Sequence, residues 1–270
     1  LRSIDNTALK NIMQTLVSKL YEQGVLDASF IGLDSTPVAA NTSQNNPKSF
    51  QTNKFCKEHQ PKADPDCRLG VHSASNQHSE KNYQFFWGYK SHVLVDCISG
   101  LPLFELTTPA NVPDSVVALD ILAQTDAFLP LRDCTFIADK GYDARKIYNA
   151  VRDRYHGDCV IPLNRRSASN QKTAWLSVGN PICDGGLAMH KDGKDRSGGR
   201  YRQKFCCPFR QSKDDSACPC NHPRYDNRKK NRGCTKYLHI PDDYRLAIDR
   251  NCFAFKSAYA LRTECERYNS

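Results

Sequence analysis

Apolar residues in this chain follow two spacings, one typical of helices and one typical of strands. Leu9, Ile12, Leu16 and Leu20 recur every three or four positions, which predicts an amphipathic helix over residues 5–24. Short apolar or alternating runs predict strands at 28–34, 84–96, 101–107, 134–139 and 159–163. Helical spacing returns at 114–128, 143–155 and 255–268. The order of three strands, helix, strand, helix and strand predicts an α/β fold, a mixed sheet with helices on both faces.

Two long segments show neither spacing. Residues 41–82 are rich in Asn, Ser, Lys and Gln, which predicts a long loop. Residues 165–250 combine glycine pairs, prolines and a basic run, which predicts an irregular insertion that contains β-structure. We therefore expect a helical segment over 1–27, an α/β domain built from 28–164 and 251–270, and the insertion between its two parts.

The charge of the chain is unevenly distributed. The 270 residues are 39% hydrophobic with a mean hydropathy of −0.63, and no apolar run reaches membrane-spanning length, so no membrane partner is expected. Residues 191–236 hold 14 Lys and Arg against 5 Asp, an excess equal to the net charge of +9 of the whole chain. A neutral body with one basic segment favours docking of nucleic acid, and a solvated polar loop is the alternative.

The cysteines raise the question of a structural metal. Six of the 13 lie between residues 183 and 234, and an odd total in a chain of this length argues against a disulfide scaffold. Clustering in a reducing compartment favours metal, but the spacing lacks the paired Cys-x-x-Cys knuckles of a zinc ribbon. The spacing of the cysteines is therefore equally compatible with bound zinc and with free thiols. The candidate zinc ligands are Cys183, Cys206 or Cys207, Cys218 or Cys220, and Cys234.

Three acidic residues stand where a metal-dependent phosphodiester site would need them. Asp34 and Asp139 each follow a short apolar run, which predicts both at strand ends. Tyr259, Arg262 and Glu266 are spaced i, i+3 and i+7, which places them on one face of a helix. Carboxylates of this kind can hold two divalent cations that activate a nucleophile and stabilise the leaving oxygen. A turn-capping role is the alternative for each aspartate.

The chain resembles a known family in these residues and in others between them. The segments are Gly32–Thr36, Trp87–His92, Gly100–Pro102, Asn111–Asp114, Ala138–Tyr142 and the Tyr259/Arg262/Glu266 signature. In this order they are similar to the catalytic region of bacterial insertion-sequence transposases of the DDE class, whose catalytic domain has a ribonuclease-H-like fold. The family signature continues to a Lys seven positions after the Glu, whereas this sequence ends at Ser270. We therefore expect a fragment of a longer protein.

The residue chemistry and the resemblance imply the metal ligands. Asp34 would bridge two Mg²⁺ or Mn²⁺ ions, Asp139 would bind one of them, and Glu266 would bind the other. Glu264 is the near rival of Glu266, but helical geometry places it further from the face that carries Arg262. Asp96, Asp114 and Asp143 are weaker candidates, because the first ends a strand and the other two fit helix N-caps.

Four further residues are expected beside the substrate. Tyr259 and Arg262 would hold the DNA or the catalytic glutamate in place, since a guanidinium suits a phosphate. Lys90 and Lys140 would contact the DNA backbone.

The resemblance implies a DNA transposase. Water would cut a phosphodiester at the end of the mobile element, and the freed 3′-hydroxyl would then attack target DNA. The expected partner is double-stranded DNA at the element ends and the target, bound by a homodimer that assembles on it, in the bacterial cytoplasm at the nucleoid. The alternatives are a metal-dependent nuclease without strand transfer and a catalytically inert, Cys-rich nucleic-acid-binding protein.

Overall fold

The computed structural model describes residues 5–49, 53–75, 81–164, 180–183, 185–199, 202–211, 234–239 and 244–269. The helices are α1 (Asn6–Glu22), α2 (Asp114–Asp126), α3 (Arg145–Asn149), α4 (Tyr244–Ala247), α5 (Phe253–Ala260) and α6 (Thr263–Asn269). The strands are β1 (Phe30–Ala39), β2 (Arg68–Ser75), β3 (Lys81–Asp96), β4 (Pro102–Pro109), β5 (Thr135–Ala138), β6 (Asp158–Val160), β7 (His190–Asp195), β8 (Arg202–Cys206) and β9 (Thr235–His239). None of the helices in these ranges is long and apolar enough to cross a membrane.

Six strands form one mixed sheet in the order β2-β3-β1-β5-β6, with β4 also paired to β3. The pairs β1–β3, β2–β3 and β3–β4 are antiparallel, whereas β1–β5 and β5–β6 are parallel. Together with helices on both faces, this sheet confirms the ribonuclease-H-like fold class. The insertion contains a separate antiparallel sheet, β7-β8-β9, which confirms its predicted β-structure.

The two faces of the large sheet bury different clusters. On one face, Leu33 of β1 packs with side chains of α1, α2 and α3 in the main core. On the other face, Val93 of β3 and Ile137 of β5 pack against Cys265 of α6 and the apolar side of α5. Because side chains alternate along a strand, Gly32 and Asp34 lie on the face covered by α5 and α6.

Two sequence predictions for this sheet are wrong in extent. The predicted loop over 41–82 contains β2 and the first residues of β3. These two strands pair with each other and add a strand to the sheet that the sequence does not predict. Strand β1 continues to Ala39, so Asp34 lies inside the strand rather than at its end. Pro37 is tolerated there because the parallel pairing with β5 ends at Leu33, which leaves one side of β1 without ladder bonds to that neighbour.

The helix predictions need two corrections. The predicted C-terminal helix is broken into α5 and α6 at Leu261 and Arg262, where the backbone N–H of Arg262 donates to the carbonyl of Tyr259 (3.1 Å). In α1 three residues of the predicted stripe, Leu9, Ile12 and Leu16, are exposed, whereas Leu20 packs against the core beside the neighbouring stripe that includes Val17. Both stripes have helical spacing, so spacing alone does not tell which one packs.

Candidate active site

The sheet brings Asp34 and Asp139 side by side. In the parallel β1–β5 pair, Leu33 lies opposite Ala138, and the two aspartates are the next residues, Asp34 within β1 and Asp139 directly after β5. Neighbouring strands lie about 4.8 Å apart, and side chains at matching positions of parallel strands point to the same face. Both carboxylates therefore emerge on the face that α5 and α6 cover, despite 104 intervening residues.

Asp34 is a partly buried carboxylate with a raised pKa. Burial is the main cause, and the negative charge of Asp139 adds to it. The backbone N–H of Ser35, the side chain of Asn269 and the charge of Arg262 act in the opposite direction. The Asn269 amide donates to Asp34 Oδ2 at 3.2 Å, which ties the last residue of α6 to β1. A bound cation would favour the ionised form of such a carboxylate and lower its pKa.

Asp139 has a local structural role as well as a place in the site. One of its oxygens, Oδ1, accepts from the backbone N–H of Gly141 at 2.6 Å and caps the single 3₁₀ turn Lys140–Tyr142. A Cβ at position 141 would lie only 2.7 Å from that oxygen, so a residue with a side chain there would displace the Asp139 carboxylate. The turn-capping alternative is thus correct for Asp139, and it occupies one carboxylate oxygen.

Helix α6 reaches the sheet at Gly32. A Cβ at position 32 would lie 2.8 Å from the Sγ of Cys97 and closer still to the Sγ of Cys265. Both cysteines are buried, and they pack in the cluster between α6 and the sheet. The absence of a side chain at Gly32 therefore allows the helix that carries Glu266 to lie directly on β1.

Arg262 lies among the three candidate ligands. Its guanidinium pairs with the Glu266 carboxylate and lies 5.8 Å from the ring centre of Tyr259. Burial lowers the pKa of Arg262, but Tyr259, Glu266, Asp34 and Asp139 raise it more, so the side chain stays charged. This arginine is the counter-ion of the acidic site. The break between α5 and α6 preserves the common face, because the tight turn keeps Tyr259 and Arg262 aligned.

The carboxylates of Asp34, Asp139 and Glu266 suit a hard divalent cation, but Glu266 is paired with Arg262. Asp34 and Asp139 offer the carboxylate oxygens that Mg²⁺ and Mn²⁺ prefer. Glu266 is about half exposed, and its Oε1 is bound to Arg262. Within the described ranges, no group of three or more His, Cys, Asp or Glu side chains is spaced to hold a metal ion. Asp34 and Asp139 supply oxygen ligands of the right chemistry, and a metal-binding role for the three acids stays a prediction.

The nearest rival acid lies elsewhere. Glu264 pairs with Arg267 (2.8 Å), and its Oε2 would lie 3.3 Å from a Cβ at position 100, beside the β3–β4 turn. Glu266 instead contacts Arg262, whose charge acts on Asp34. The structure therefore separates the two glutamates as helical geometry predicts.

The three weaker acidic candidates have structural partners. Asp96 is buried and accepts from the backbone N–H groups of Ile98 and Ser99, both at 3.2 Å, in the β3–β4 turn. Asp114 and Asp143 are not the N-caps of α2 and α3, contrary to the sequence prediction, because Pro113 and Ala144 hold those positions. Asp143 instead forms an ion pair in which its own side chain is fully buried.

The two candidate DNA-contacting lysines lie in different environments. Lys90 shares the face of His92, which is opposite to that of Asp34, and its ammonium pairs with Asp114 at 2.8 Å. Lys140 is exposed and directly follows Asp139. Of the two, Lys140 is the one placed to meet a substrate at the carboxylates. His92 is buried, with Nε2 2.9 Å from Thr108 Oγ1, as a structural side chain would be.

The insertion brings together some of the candidate zinc ligands. Cys183, Cys207 and Cys234 are buried in one cluster around Met189 and Phe205. Cys206 is not in that cluster, and its Sγ donates to Asp192 Oδ2 at 2.8 Å. The described cysteines are not spaced to hold a metal ion, and a zinc site stays a prediction. Cys218 and Cys220 lie outside the described residues.

Sequence reasoning missed Asn269 and the pair formed by Asp143 and Arg245. Asn269 lies three residues after Glu266, so the helical spacing that selected Glu266 also marks Asn269 as a neighbour. Arg245 donates to both oxygens of Asp143 from Nε (2.6 Å) and Nη2 (2.8 Å), across 102 positions of the sequence. No local pattern indicates a contact of that range.

A family model of the transposase DDE domain matches residues 21–215, well over half of the chain. A match of this extent shows that the chain belongs to the transposase DDE domain family. The matched range includes Asp34 and Asp139 and ends before Glu266. No curated protein sequence matches the chain.

Solved transposase complexes show distant structural likeness. A structure titled as a piggyBac transposase synaptic complex with hairpin DNA is 9% identical, covers 99% of this chain and 47% of its own, and has a TM-score of 0.39. The Mos1 strand transfer complex is 12% identical, covers 56% and 39%, and has a TM-score of 0.27. The chain thus spans less than half the length of these solved chains. The family assignment rests on the family model alone.

Proposed function

We propose that this chain is the catalytic domain of a DNA transposase. It would cut phosphodiesters at the ends of a mobile element by hydrolysis and join the resulting 3′-hydroxyl to target DNA. The observation that carries the proposal is the pairing of Asp34 and Asp139 on one sheet face, next to the Arg262–Glu266 pair of the C-terminal helices. The family membership supports the same activity.

In this proposal each side chain has a distinct part. Asp34 and Asp139 would hold two Mg²⁺ or Mn²⁺ ions, with Glu266 as the third ligand after its carboxylate leaves Arg262. Bound ions of this kind lower the pKa of an attacking water or hydroxyl and stabilise the leaving oxyanion. The raised pKa of Asp34 falls when a cation is near, which keeps this carboxylate ionised in the active form.

The basic residues beside the acids would position the DNA. Arg262, released from Glu266, can bind a phosphate through two parallel hydrogen bonds. Tyr259 stacks on Phe255 with ring centres 6.1 Å apart, which fixes the surface on which Arg262 rests. Lys140 is exposed next to Asp139 and would contact the backbone of the cut strand. Lys90 receives no DNA contact in this proposal because it is paired with Asp114 on the other face.

Two alternatives differ in how much of this mechanism they use. A nuclease without strand transfer would use the same acids and would release cut ends without joining them. A catalytically inert nucleic-acid-binding protein would use none of them, and its DNA contacts would come from the basic insertion. The proposal predicts both a cleaved end and a joined product in the presence of Mg²⁺.

The test is a cleavage and joining assay on DNA that carries the element ends. Asp139→Asn and Glu266→Gln should each abolish both products and leave DNA binding intact. Glu264→Gln is the matched control, since it neutralises a glutamate on the same helix that pairs with Arg267, and it should keep both products. Cleavage without joining by the unaltered chain would favour the nuclease, and full activity of Asp139→Asn would exclude this site.

The partners of the proposal are double-stranded DNA and a second copy of the chain. The described part of the insertion already pairs some of its charge, with Arg202 on Asp195 at 2.6 Å and Lys204 on Asp192 at 2.8 Å. The remaining excess includes Arg228, Lys229, Lys230 and Arg232, which lie outside the described residues. Changing these four to Gln should flatten the salt dependence of DNA binding, by about 0.9 in log–log slope for each phosphate that is no longer neutralised. An unchanged slope would remove the insertion from the interface.

Assembly on DNA and the place of action are part of the same proposal. We expect a homodimer on paired element ends, at the nucleoid in the bacterial cytoplasm. Light scattering with and without end DNA would measure the first. A single copy on paired ends would contradict it.

A structural zinc in the insertion stays a prediction. Cys183, Cys207 and Cys234 share one buried cluster but are not spaced to hold a metal as they stand, so zinc binding would require these thiols to move together, with Cys218 or Cys220 as the fourth ligand. The same thiols could instead pack as small apolar groups. Zinc content of the purified protein decides between these two roles: Cys207→Ser should lose the metal, and Cys206→Ser, whose thiol contacts Asp192, should keep it. Absence of zinc in a folded insertion would establish the packing role.

A further inference from the structure

One buried carboxylate joins the two ends of the insertion. The Asp143 side chain is fully buried, and its Oδ2 accepts from the backbone N–H of Asn164 at 2.7 Å, where the chain enters the insertion. The same carboxylate accepts two hydrogen bonds from Arg245, at 2.6 and 2.8 Å, where the chain returns. Asp143 therefore closes the root of the insertion with one group.

A second arginine extends this contact into the sheet. Arg250 is only 5% exposed, and its Nε donates to the carbonyl of Ile161 at 2.8 Å. Its Nη2 donates to the hydroxyl of Tyr148 at 3.1 Å, and that hydroxyl donates to Asp143 Oδ1 at 2.9 Å. Two arginines thus hold the segment that follows the insertion: Arg245 binds the buried Asp143 carboxylate, and Arg250 binds the Tyr148 hydroxyl that donates to it.

The network touches both halves of the candidate active site. On one side, Asn164 Nδ2 donates to the carbonyl of Lys140 at 2.8 Å, in the turn that Asp139 caps. On the other side, Arg250 lies 5.9 Å from the ring centre of Phe255, which begins the stacked series of Phe255, Tyr259 and Arg262. Asp143 is therefore connected to the Asp139 turn through Asn164, and to α5 through Tyr148 and Arg250.

We propose that Asp143 and Arg245 are positioning residues that set the placement of α5 and α6 against the Asp139 turn, and so couple the insertion to the catalytic carboxylates. The inference rests on the proposed function for its catalytic consequence. The insertion separates Asp139 from Glu266 in the sequence, and the contacts of Asp143 with Asn164 and Arg245 fix where the chain leaves the α/β domain and where it comes back. A force on the insertion, such as that from bound DNA, would reach the site through these contacts.

A purely structural role for the pair gives a different expectation. It predicts that weakening the pair lowers global stability and leaves the site unchanged in molecules that remain folded. A positioning role predicts a local change that is present in the folded protein. The test must therefore read out the site and the global stability separately.

The experiment compares Asp143→Asn, Arg245→Gln and the double variant Asp143→Asn/Arg245→Gln. Arg245→Gln leaves the fully buried Asp143 carboxylate without its ion pair, and Asp143→Asn removes the carboxylate charge that Arg245 pairs with, whereas two amides can bond to each other. Hydrogen exchange would be measured at 139–142 and 253–266, with the core helix α2 as the internal reference for global stability. We expect each single variant to exchange about 10-fold faster at both segments, with α2 unchanged and the double variant closer to wild type.

The second readout is the Mg²⁺ concentration that gives half-maximal cleavage. The single variants should raise it about 10-fold, with DNA affinity retained and partial recovery in the double variant. If Asp143→Asn does not fold, Arg245→Gln carries the test, because Arg245 is the more exposed partner. Equal acceleration of exchange in α2 and the two segments, or no acceleration at all, would overturn the inference. Exchange needs no catalysis, so that result would leave the proposed function standing. Persistent cleavage by Asp139→Asn would overturn the function alone.

Discussion

Gly32 offers a direct test of how α6 is seated on the sheet. An alanine there would place its Cβ 2.8 Å from the Sγ of Cys97 and nearer still to the Sγ of Cys265. Both sulfurs are buried between α6 and β1, so neither can swing into solvent. The Gly32→Ala substitution should therefore push α6 away from the strand, and Glu266, the residue after Cys265, should move with it.

The size of the effect follows from overpacking. Inserting a methylene-sized group into a close-packed core costs about 1–3 kcal/mol. For a domain of this size, that corresponds to a fall of about 2–12 °C in the melting temperature. Cleavage should fall more than stability does, because a displacement of about 1 Å at a catalytic group costs about 100-fold in rate.

The assay combines thermal unfolding with cleavage at a temperature where the variant is folded. Cys265→Ala removes the nearer sulfur, so the double variant Gly32→Ala/Cys265→Ala should recover part of both losses. Cys134→Ala is the matched control, since it removes a buried thiol in the core on the opposite face and should lower stability without the added cleavage defect. A Gly32→Ala protein with unchanged melting temperature and cleavage would refute this seating of α6.

Three further predictions concern the charges of the site. Asp34 has a raised pKa, so the native state holds this proton to a higher pH than the unfolded chain does, and the free energy of unfolding falls as the pH rises through that interval. Asp34→Asn should therefore be more stable than wild type at pH 7 in urea unfolding. A less stable variant would contradict this. Mg²⁺ at 100 times its dissociation constant should stabilise the wild type by about 2.7 kcal/mol in thermal unfolding and should not stabilise Asp34→Asn/Asp139→Asn, so an equal shift in both would place the ion elsewhere. Arg262→Gln removes a charge that lowers the pKa of Asp34, so the acid limb of the pH profile of cleavage should move to higher pH; an unmoved limb would separate Arg262 from Asp34.

The parts of the fold that sequence predicts well are those set by short-range patterns. The apolar run before Asp139 predicts β5 to within one residue at either end, because a buried central strand has few polar positions. Helix α2 begins at Asp114 as predicted, with Pro113 immediately before it. The i, i+3, i+7 spacing places Tyr259, Arg262 and Glu266 on one face although the helix is broken between them.

The parts that sequence reasoning misses depend on contacts between distant segments. Strand β2 lies in a stretch with few apolar residues and is a strand because β3 offers it a ladder of backbone hydrogen bonds. The bond between Arg245 and Asp143 has no local signal, because the sequence around Asp143 matches a helix N-cap and Arg245 matches an ordinary surface charge. The extension of β1 past Asp34 depends on its pairing with β3. Pro37 taken alone predicts that the strand ends before it.

The arrangement of charges explains why such an acidic site is compatible with folding before any ion binds. Asp34 and Asp139 emerge side by side on a partly buried face, and the rise in the pKa of Asp34 records the cost of that placement. Arg262 offsets part of it, since its guanidinium acts on both aspartates while pairing with Glu266. One cation thus interacts with all three acids. A divalent ion would compete with Arg262 for the same carboxylates, and the arginine that it displaces would become free to bind a phosphate of the DNA.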